Sequence, residues 1–89
     1  MYYVYILLSK KDNKLYTGYT ENLKRRFAEH TEGRVRATRY RKPLRLVYYE
    51  AYESQADAKT REWNLKNSQG ARTALKRRLG NCLRQDHSV

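Results

Sequence analysis

Two short runs rich in β-branched and aromatic residues, Tyr2 to Ser9 and Leu15 to Tyr19, flank the polar stretch Lys10-Lys11-Asp12-Asn13. That arrangement predicts a β-hairpin at the start of the chain. The hairpin constrains everything after it, because strand side chains alternate faces with period two and the register decides which of them can cooperate. With Ser9 opposite Lys14, Leu7 faces Tyr16 and Tyr5 faces Gly18, so Tyr5 and Tyr16 share one face on a diagonal. A tighter Asp12-Asn13 loop keeps this parity. An odd-length loop with regular pairing on either side would put the two tyrosines on opposite faces.

Past Gly18 the hydrophobic period changes. Thr20 is the expected N-cap of a helix in which Leu23, Phe27 and Ala28 form the buried side and which ends near Gly33. Arg26 and His30, four residues apart, project from one side of it. Leu44 to Tyr52 predicts a third strand, buried on both faces and placed in the middle of the sheet. Ser54 and Asp57 make a capping box that opens a helix at Gln55, with Ala58, Glu62 and Leu65 along one face. Trp63 is expected to pack. A last helix, Ala71 to Leu79, follows a Ser68 cap and stops at Gly80. The expected fold is α/β (α+β), a small, mainly antiparallel three-stranded sheet flanked by helices. One domain spans residues 1–80, and residues 81–89 form a flexible C-terminal tail.

Two phenols, a guanidinium and an imidazole would thus meet where the hairpin joins the first helix. With 9 tyrosines in the chain, Tyr5 and Tyr16 read from the residues alone as ordinary strand material. His30 could position a phosphate, share in proton transfer, or bond the backbone. Glu62 breaks the local pattern, because a carboxylate beside apolar neighbours is costly to desolvate without a cation, metal or hydrogen-bond donor. From the residues it serves equally as an ion-pair partner of Arg26 or Lys66. Glu50 and Glu53, near the end of the third strand, read as solvated carboxylates rather than metal ligands. Cys82 and His87 lack the further ligands a zinc site needs.

Charge narrows the partner. The 89 residues carry 20 Lys and Arg against 9 Asp and Glu, a formal +11 with a pI near 10.0, and such an excess favours a polyanion. Nucleic acid is the expected partner, DNA ahead of RNA. The segment containing Arg34, Arg36, Arg39, Tyr40, Arg41 and Lys42 reads as an ordered cationic loop along a phosphate backbone, or as a solvated connection. Lys66, Arg72 and Lys76 would widen that surface. No apolar run approaches a membrane span, no signal-peptide pattern opens the chain, and the single cysteine suits a reducing compartment. The cytoplasm is the expected location, with neither a membrane nor a small-molecule cofactor among the partners.

Tyr3-Val4-Tyr5, Tyr16-Thr17-Gly18 and an arginine eight residues past that glycine, followed by a helical glutamate, resemble the GIY-YIG endonuclease domain in its small stand-alone form. Tyr3 stands where that family usually has Gly, and Thr17 where it has Ile or Val. The similarity runs from Tyr2 to about Leu79. It implies catalytic roles for Tyr5, Tyr16, Arg26 and Glu62, with Glu62 holding a divalent cation, magnesium or in its place manganese. His30 joins them as a catalytic candidate because it lies one turn from Arg26. One carboxylate suffices for such an ion when water and substrate phosphate complete its shell. Arg26 would bind a non-bridging phosphate oxygen, Tyr5 would act as base and Tyr16 would orient water or phosphate. The implied activity is that of a metal-dependent endonuclease or nickase on DNA, on branched or damaged structures in repair. The alternative is a catalytically silent nucleic-acid-binding module of the same fold. Asn67 is the nearest match to the asparagine that many family members carry beyond the glutamate.

Overall fold

The computed structural model describes residues 1–84. Strands β1 (Tyr2–Ser9) and β2 (Leu15–Thr20) pair antiparallel in the expected register, Tyr5 opposite Gly18 and Leu7 opposite Tyr16. The turn is closed by Ser9 N donating to Lys14 O and Asn13 N donating to Ser9 O, both at 2.9 Å. Asn13 takes the left-handed conformation there (φ 58°), one that asparagine tolerates well.

Strand β3 (Leu44–Tyr52) pairs antiparallel with the other side of β1, so the order is β2-β1-β3. β1 is therefore the central strand, not β3 as its composition suggested. The reason lies in the side chains. Val4 to Ser9 are all buried, with apolar residues directed to both faces, whereas Tyr48, Tyr49 and Tyr52 are large enough to pack partly and still reach water. Val47 is an extra residue in β3, since Ile6 pairs with Tyr48 and Leu7 with Leu46.

Helices cover both faces. α1 (Leu23–Thr31) lies over Tyr5 and Leu7, with Leu23 and Phe27 packed against them. α2 (Gln55–Asn67) and α3 (Gln69–Arg78) cover Val4 and Ile6 with Ala58, Leu65 and Leu75. Truncating Leu65, which is fully buried, would cost about 2–5 kcal/mol.

The helix starts correct one expectation and bear out another. Asn22, not Thr20, caps α1 by accepting from Arg25 N at 3.0 Å, because Thr20 is still paired in β2 and its hydroxyl instead takes the Asn22 amide. Ser54 caps α2 as expected, accepting from Asp57 N. At the end of α1, Gly33 adopts φ +77°, where a side chain would be strained. Ser68 caps α3, which begins two residues before the expected Ala71.

Gly80 does not end the helical structure, because a short α4 (Gly80–Arg84) follows it. Leu83 packs into the same core as Leu79 one turn earlier, and Arg45 donates to Cys82 O at 2.9 Å. The remainder of the expected tail, residues 85–89 with His87, lies outside the described residues. Trp63 is 64% exposed rather than packed. It stands two residues before Leu65, about 200° around the helix from the buried stripe. No helix among the described residues is long and apolar enough to cross a membrane.

Candidate active site

Tyr5 is the floor of the site. Its ring lies across Gly18 on the neighbouring strand, so closely that a Cβ at that position would sit 2.3 Å from both the ring's Cζ and its oxygen. Only glycine leaves room for this path, which accounts for the residue type opposite Tyr5. The ring centroids of Tyr5 and Tyr16 are 6.4 Å apart, and His30 meets Tyr5 at 5.6 Å and Tyr16 at 5.3 Å, edge-on to both. The parity argument from the hairpin therefore holds. The two phenols share one face, and α1 lays its imidazole against them.

His30 is fully buried and uses both ring nitrogens. Nε2 is 2.8 Å from the Tyr5 hydroxyl, and Nδ1 is 2.7 Å from the hydroxyl of Thr38. Burial, with the nearby Arg26 charge, lowers its pKa to about 4, so the ring is neutral at physiological pH. Burial also pushes the Tyr5 phenol up to about 12. Arg26 opposes that rise, while Tyr16 and Glu62 add to it. Tyr5 is thus a protonated phenol in the resting protein.

Arg26 and Glu62 both act on the Tyr5 phenol. Arg26 is 37% exposed and forms an ion pair with Glu29 one turn along its own helix at 3.0 Å. Glu62 acts electrostatically on Tyr5 from α2 and pairs with Lys66 at 3.0 Å, one of the two ion-pair partners expected for it. Arg26 and Glu62 are neutralised within their own helices and not by each other. An incoming phosphate or cation would compete only with surface ion pairs worth about 0–1 kcal/mol each.

Among the described residues no group of three or more His, Cys, Asp and Glu side chains converges. The site therefore does not suit an ion enclosed by protein ligands, such as structural zinc. It fits an ion that keeps most of its water and accepts one carboxylate, which is the habit of magnesium. Glu62 is the carboxylate that would accept it, its side chain 22% exposed.

The basic segment after α1 is ordered, as one of its two readings required, but its cations are not equivalent. Ser9 Oγ donates to Arg41 O at 2.6 Å and Lys10 N to Pro43 O at 2.8 Å, tying the segment to the hairpin. Arg41 turns back to Asp12 at 2.8 Å and holds that carboxyl down to about 2. Arg34 pairs with Glu32, and Arg39 lies over the ring of the exposed Tyr40. Arg36 and Lys42 are exposed. On α3, Arg72 donates to Leu65 O and Lys66 O at the end of α2, while Lys76 is exposed. Arg41 and Arg72 are thus committed within the fold, and Arg36, Arg39, Lys42, Lys66 and Lys76 face solvent.

Two expectations about individual residues change. Both readings of the segment keep it at the surface, yet Val35 and Thr38 are buried, the latter with its hydroxyl satisfied by His30. Thr38 is the site residue that the sequence left unmarked. The available signal was faint, one β-branched residue three after Val35 in a basic run. Glu50 is not a solvated carboxylate. Tyr48 and Tyr52 donate to it, and Arg61 grips it at 3.0 Å.

Known proteins resemble the chain over most of its length. The family model of the GIY-YIG catalytic domain matches residues 1–81. A UPF0213 protein of Staphylococcus haemolyticus is 46% identical over 66 residues, covering 73% of this chain and 79% of that one. A UPF0213 protein of Clostridium perfringens is 46% identical over 67 residues, 74% of this chain and 71% of the relative. The solution NMR structure of a UPF0213 protein from Bacillus halodurans superposes with a TM-score of 0.55 at 40% identity, covering 84% of this chain and 82% of the other.

Proposed function

The chain belongs to the GIY-YIG catalytic-domain family, a nuclease family whose substrate is nucleic acid, and from that premise we propose that it is a metal-dependent endonuclease or nickase acting on DNA. The proposed substrates are branched or damaged duplexes in repair. Exposed cations on a loop and two helices grip a backbone whatever its sequence. The observation that carries the reading is the bond between Tyr5 and His30, with an arginine and a carboxylate acting on that phenol while each is only loosely engaged on its own helix.

A phenol at about pKa 12 is not an ionised base at neutral pH. It can accept a proton from the attacking water only if it passes on its own at the same moment. His30 Nε2, 2.8 Å away, is the acceptor. The water O–H bond breaks as its oxygen bonds to phosphorus, the water proton moves to the Tyr5 oxygen, and the phenol proton moves to His30. The bond from phosphorus to the leaving oxygen breaks, and that oxygen keeps the electron pair and takes a proton from solvent. Arg26 binds a non-bridging oxygen and meets the growing charge on the phosphate. Once the phosphate offsets the Arg26 charge, one of the forces depressing His30 is removed and the ring becomes the better base. Tyr16, half-buried beside both rings, orients the water or the phosphate. Glu62 would hold a magnesium or manganese ion, which when bound would polarise the phosphate and stabilise the departing oxygen.

The test is cleavage of single-stranded, duplex and branched DNA with magnesium, manganese or EDTA, by the wild-type chain and by Arg26→Ala and Glu62→Gln. Metal-dependent cleavage lost in both variants is the expected result. Tight, salt-sensitive binding without cleavage in any condition would identify a silent binding module instead.

A further inference from the structure

Thr38 has no part in the chemistry above, yet it is fully buried in a segment whose neighbours Arg36, Ala37, Arg39 and Tyr40 are exposed. Burying a hydroxyl is costly unless it is paired, and its partner is His30 Nδ1 at 2.7 Å. Its position is fixed from both sides. Thr38 N donates to Val35 O and Arg41 N donates to Thr38 O, while Arg41 O receives the hydroxyl of Ser9. Ser9 closes the same strand that carries Tyr5, so the phenol and the threonine are both referenced to β1.

A neutral imidazole has one N–H and one lone pair, so the bond at one nitrogen dictates the role of the other. The groups facing the ring are Tyr5 from β1, Tyr16 from β2, Arg26 and Glu29 from its own helix, and Thr38. Arg26 acts on the Tyr5 phenol and, as a guanidinium, can only donate. His30 Nε2, at 2.8 Å, is the acceptor within reach of the phenol's own hydrogen, and it can take that hydrogen only when bare. The imidazole hydrogen then sits on Nδ1 and is donated to the Thr38 oxygen.

From this geometry we infer that Thr38 is a positioning residue for cleavage, holding His30 in the Nδ1–H tautomer with the Nε2 lone pair aimed at the Tyr5 hydroxyl. The inference rests on the proposed route of the proton from Tyr5 to His30. After that transfer both ring nitrogens carry hydrogens, and both have acceptors already in place, Tyr5 on one side and Thr38 on the other. Without the Thr38 hydroxyl, a hydrogen on Nδ1 would be buried without a partner. The ring would move to the Nε2–H tautomer, which cannot receive the phenol proton.

The experiment compares wild type, Thr38→Val and Thr38→Ser by steady-state cleavage and by nitrogen NMR of the His30 ring. The expected result is Nδ1–H in the wild type and Nε2–H in Thr38→Val. That variant should show kcat lower by roughly tenfold, the equivalent of one lost hydrogen bond, and an unchanged KM for DNA. Thr38→Ser should restore both readouts. A wild-type ring protonated on Nε2 overturns the inference, and this measurement needs no variant to fold. So does Thr38→Val with wild-type kcat. Because the NMR readout needs no turnover, a wild-type chain that cleaves nothing yet holds the Nδ1–H tautomer overturns the nuclease reading and leaves the Thr38–His30 geometry standing.

Discussion

Two clusters on opposite faces of the sheet use nearly the same residues to opposite ends. On the α2 side, Glu50 receives hydrogen bonds from Tyr48, Tyr52 and Arg61. The other cluster gathers Tyr5, Tyr16 and Arg26 on the α1 side around His30, and Glu62 acts on Tyr5 from α2, so two phenols, a guanidinium and a carboxylate are again present. In the first cluster the arginine and the glutamate bind each other. Burial alone would raise Glu50, but Arg61 and the two hydroxyls outweigh it and hold the carboxyl below its ordinary range. In the second cluster the arginine and the glutamate hold neighbours on their own helices, Glu29 and Lys66. A closed set of donors and acceptors has nothing left to offer a ligand, whereas two loosely held opposite charges beside a phenol can exchange partners. Residue type alone does not mark a site. What marks it is whether the charges are already spent on each other.

The sharpest way to break this comparison is to neutralise both carboxylates. Glu62→Gln should lower the cleavage rate by roughly a hundredfold or more, the scale for losing one electrostatic participant, with little change in a urea melt. Glu50→Gln should do the reverse. Its rate per folded molecule stays near wild type while stability falls by about 2–3 kcal/mol, slightly below the range for breaking a fully buried pair because Glu50 and Arg61 remain 15% and 27% exposed. Equal effects of the two changes on rate would end the distinction.

Gly18→Ala tests the packing that makes the open cluster possible. A Cβ at 2.3 Å from the Tyr5 ring and hydroxyl must displace the phenol, which is central, rigid and held by His30. Overpacking of this kind costs about 1–3 kcal/mol. Kinetics should show a fall of at least tenfold in rate beyond what the stability loss explains, because the phenol can no longer reach Nε2. An alanine variant with normal turnover would mean that the path of the Tyr5 ring has no bearing on catalysis.

The open cluster should also give the protein a characteristic response to acid. His30 is held near pKa 4 in the folded chain against an ordinary value near 6.5, so the unfolded chain binds the proton more readily. The stability due to neutral His30 is complete above about pH 6.5 and is lost as the pH falls toward 4. The loss is on the order of 3 kcal/mol in total. Urea melts at several pH values should show this fall, and His30→Gln should flatten it across that window. The closed cluster contributes no such window between pH 5 and 8.

Much of the open cluster was legible beforehand because it depends on short-range rules. Strand parity put Tyr5 beside Tyr16, helical spacing put Arg26 with His30, and a polar residue on an apolar helix face singled out Glu62. The misplaced features depend on competition between distant segments. β1 and β3 both read as apolar strands, and the central position went to β1 because its side chains could be buried on both faces while tyrosines in β3 kept their hydroxyls near water. Glu50 read as solvated because Arg61 comes from another element. Thr38 was silent for the same reason. A threonine in a basic loop looks like solvent-facing chain until the fold carries a buried histidine to it.

The smallest effects distinguish free cations from occupied ones, and they extend the lesson of the two clusters to the surface. Arg36 is exposed, whereas Arg41 grips Asp12 and donates toward Leu15 O across the hairpin. If phosphate contacts come from charges not already used within the fold, Arg36→Ala should weaken DNA binding a few-fold. It should also lower the slope of log K against log salt by about one, because one fewer counterion is released. Arg41→Ala should leave that slope unchanged, its guanidinium having been neutralised before the DNA arrived. Binding titrations between low and physiological salt read both variants. If Arg41→Ala shifts the slope as much as Arg36→Ala, the Asp12 pair must open on binding, and the division between spent and available charge would apply to the sheet clusters but not to the loop.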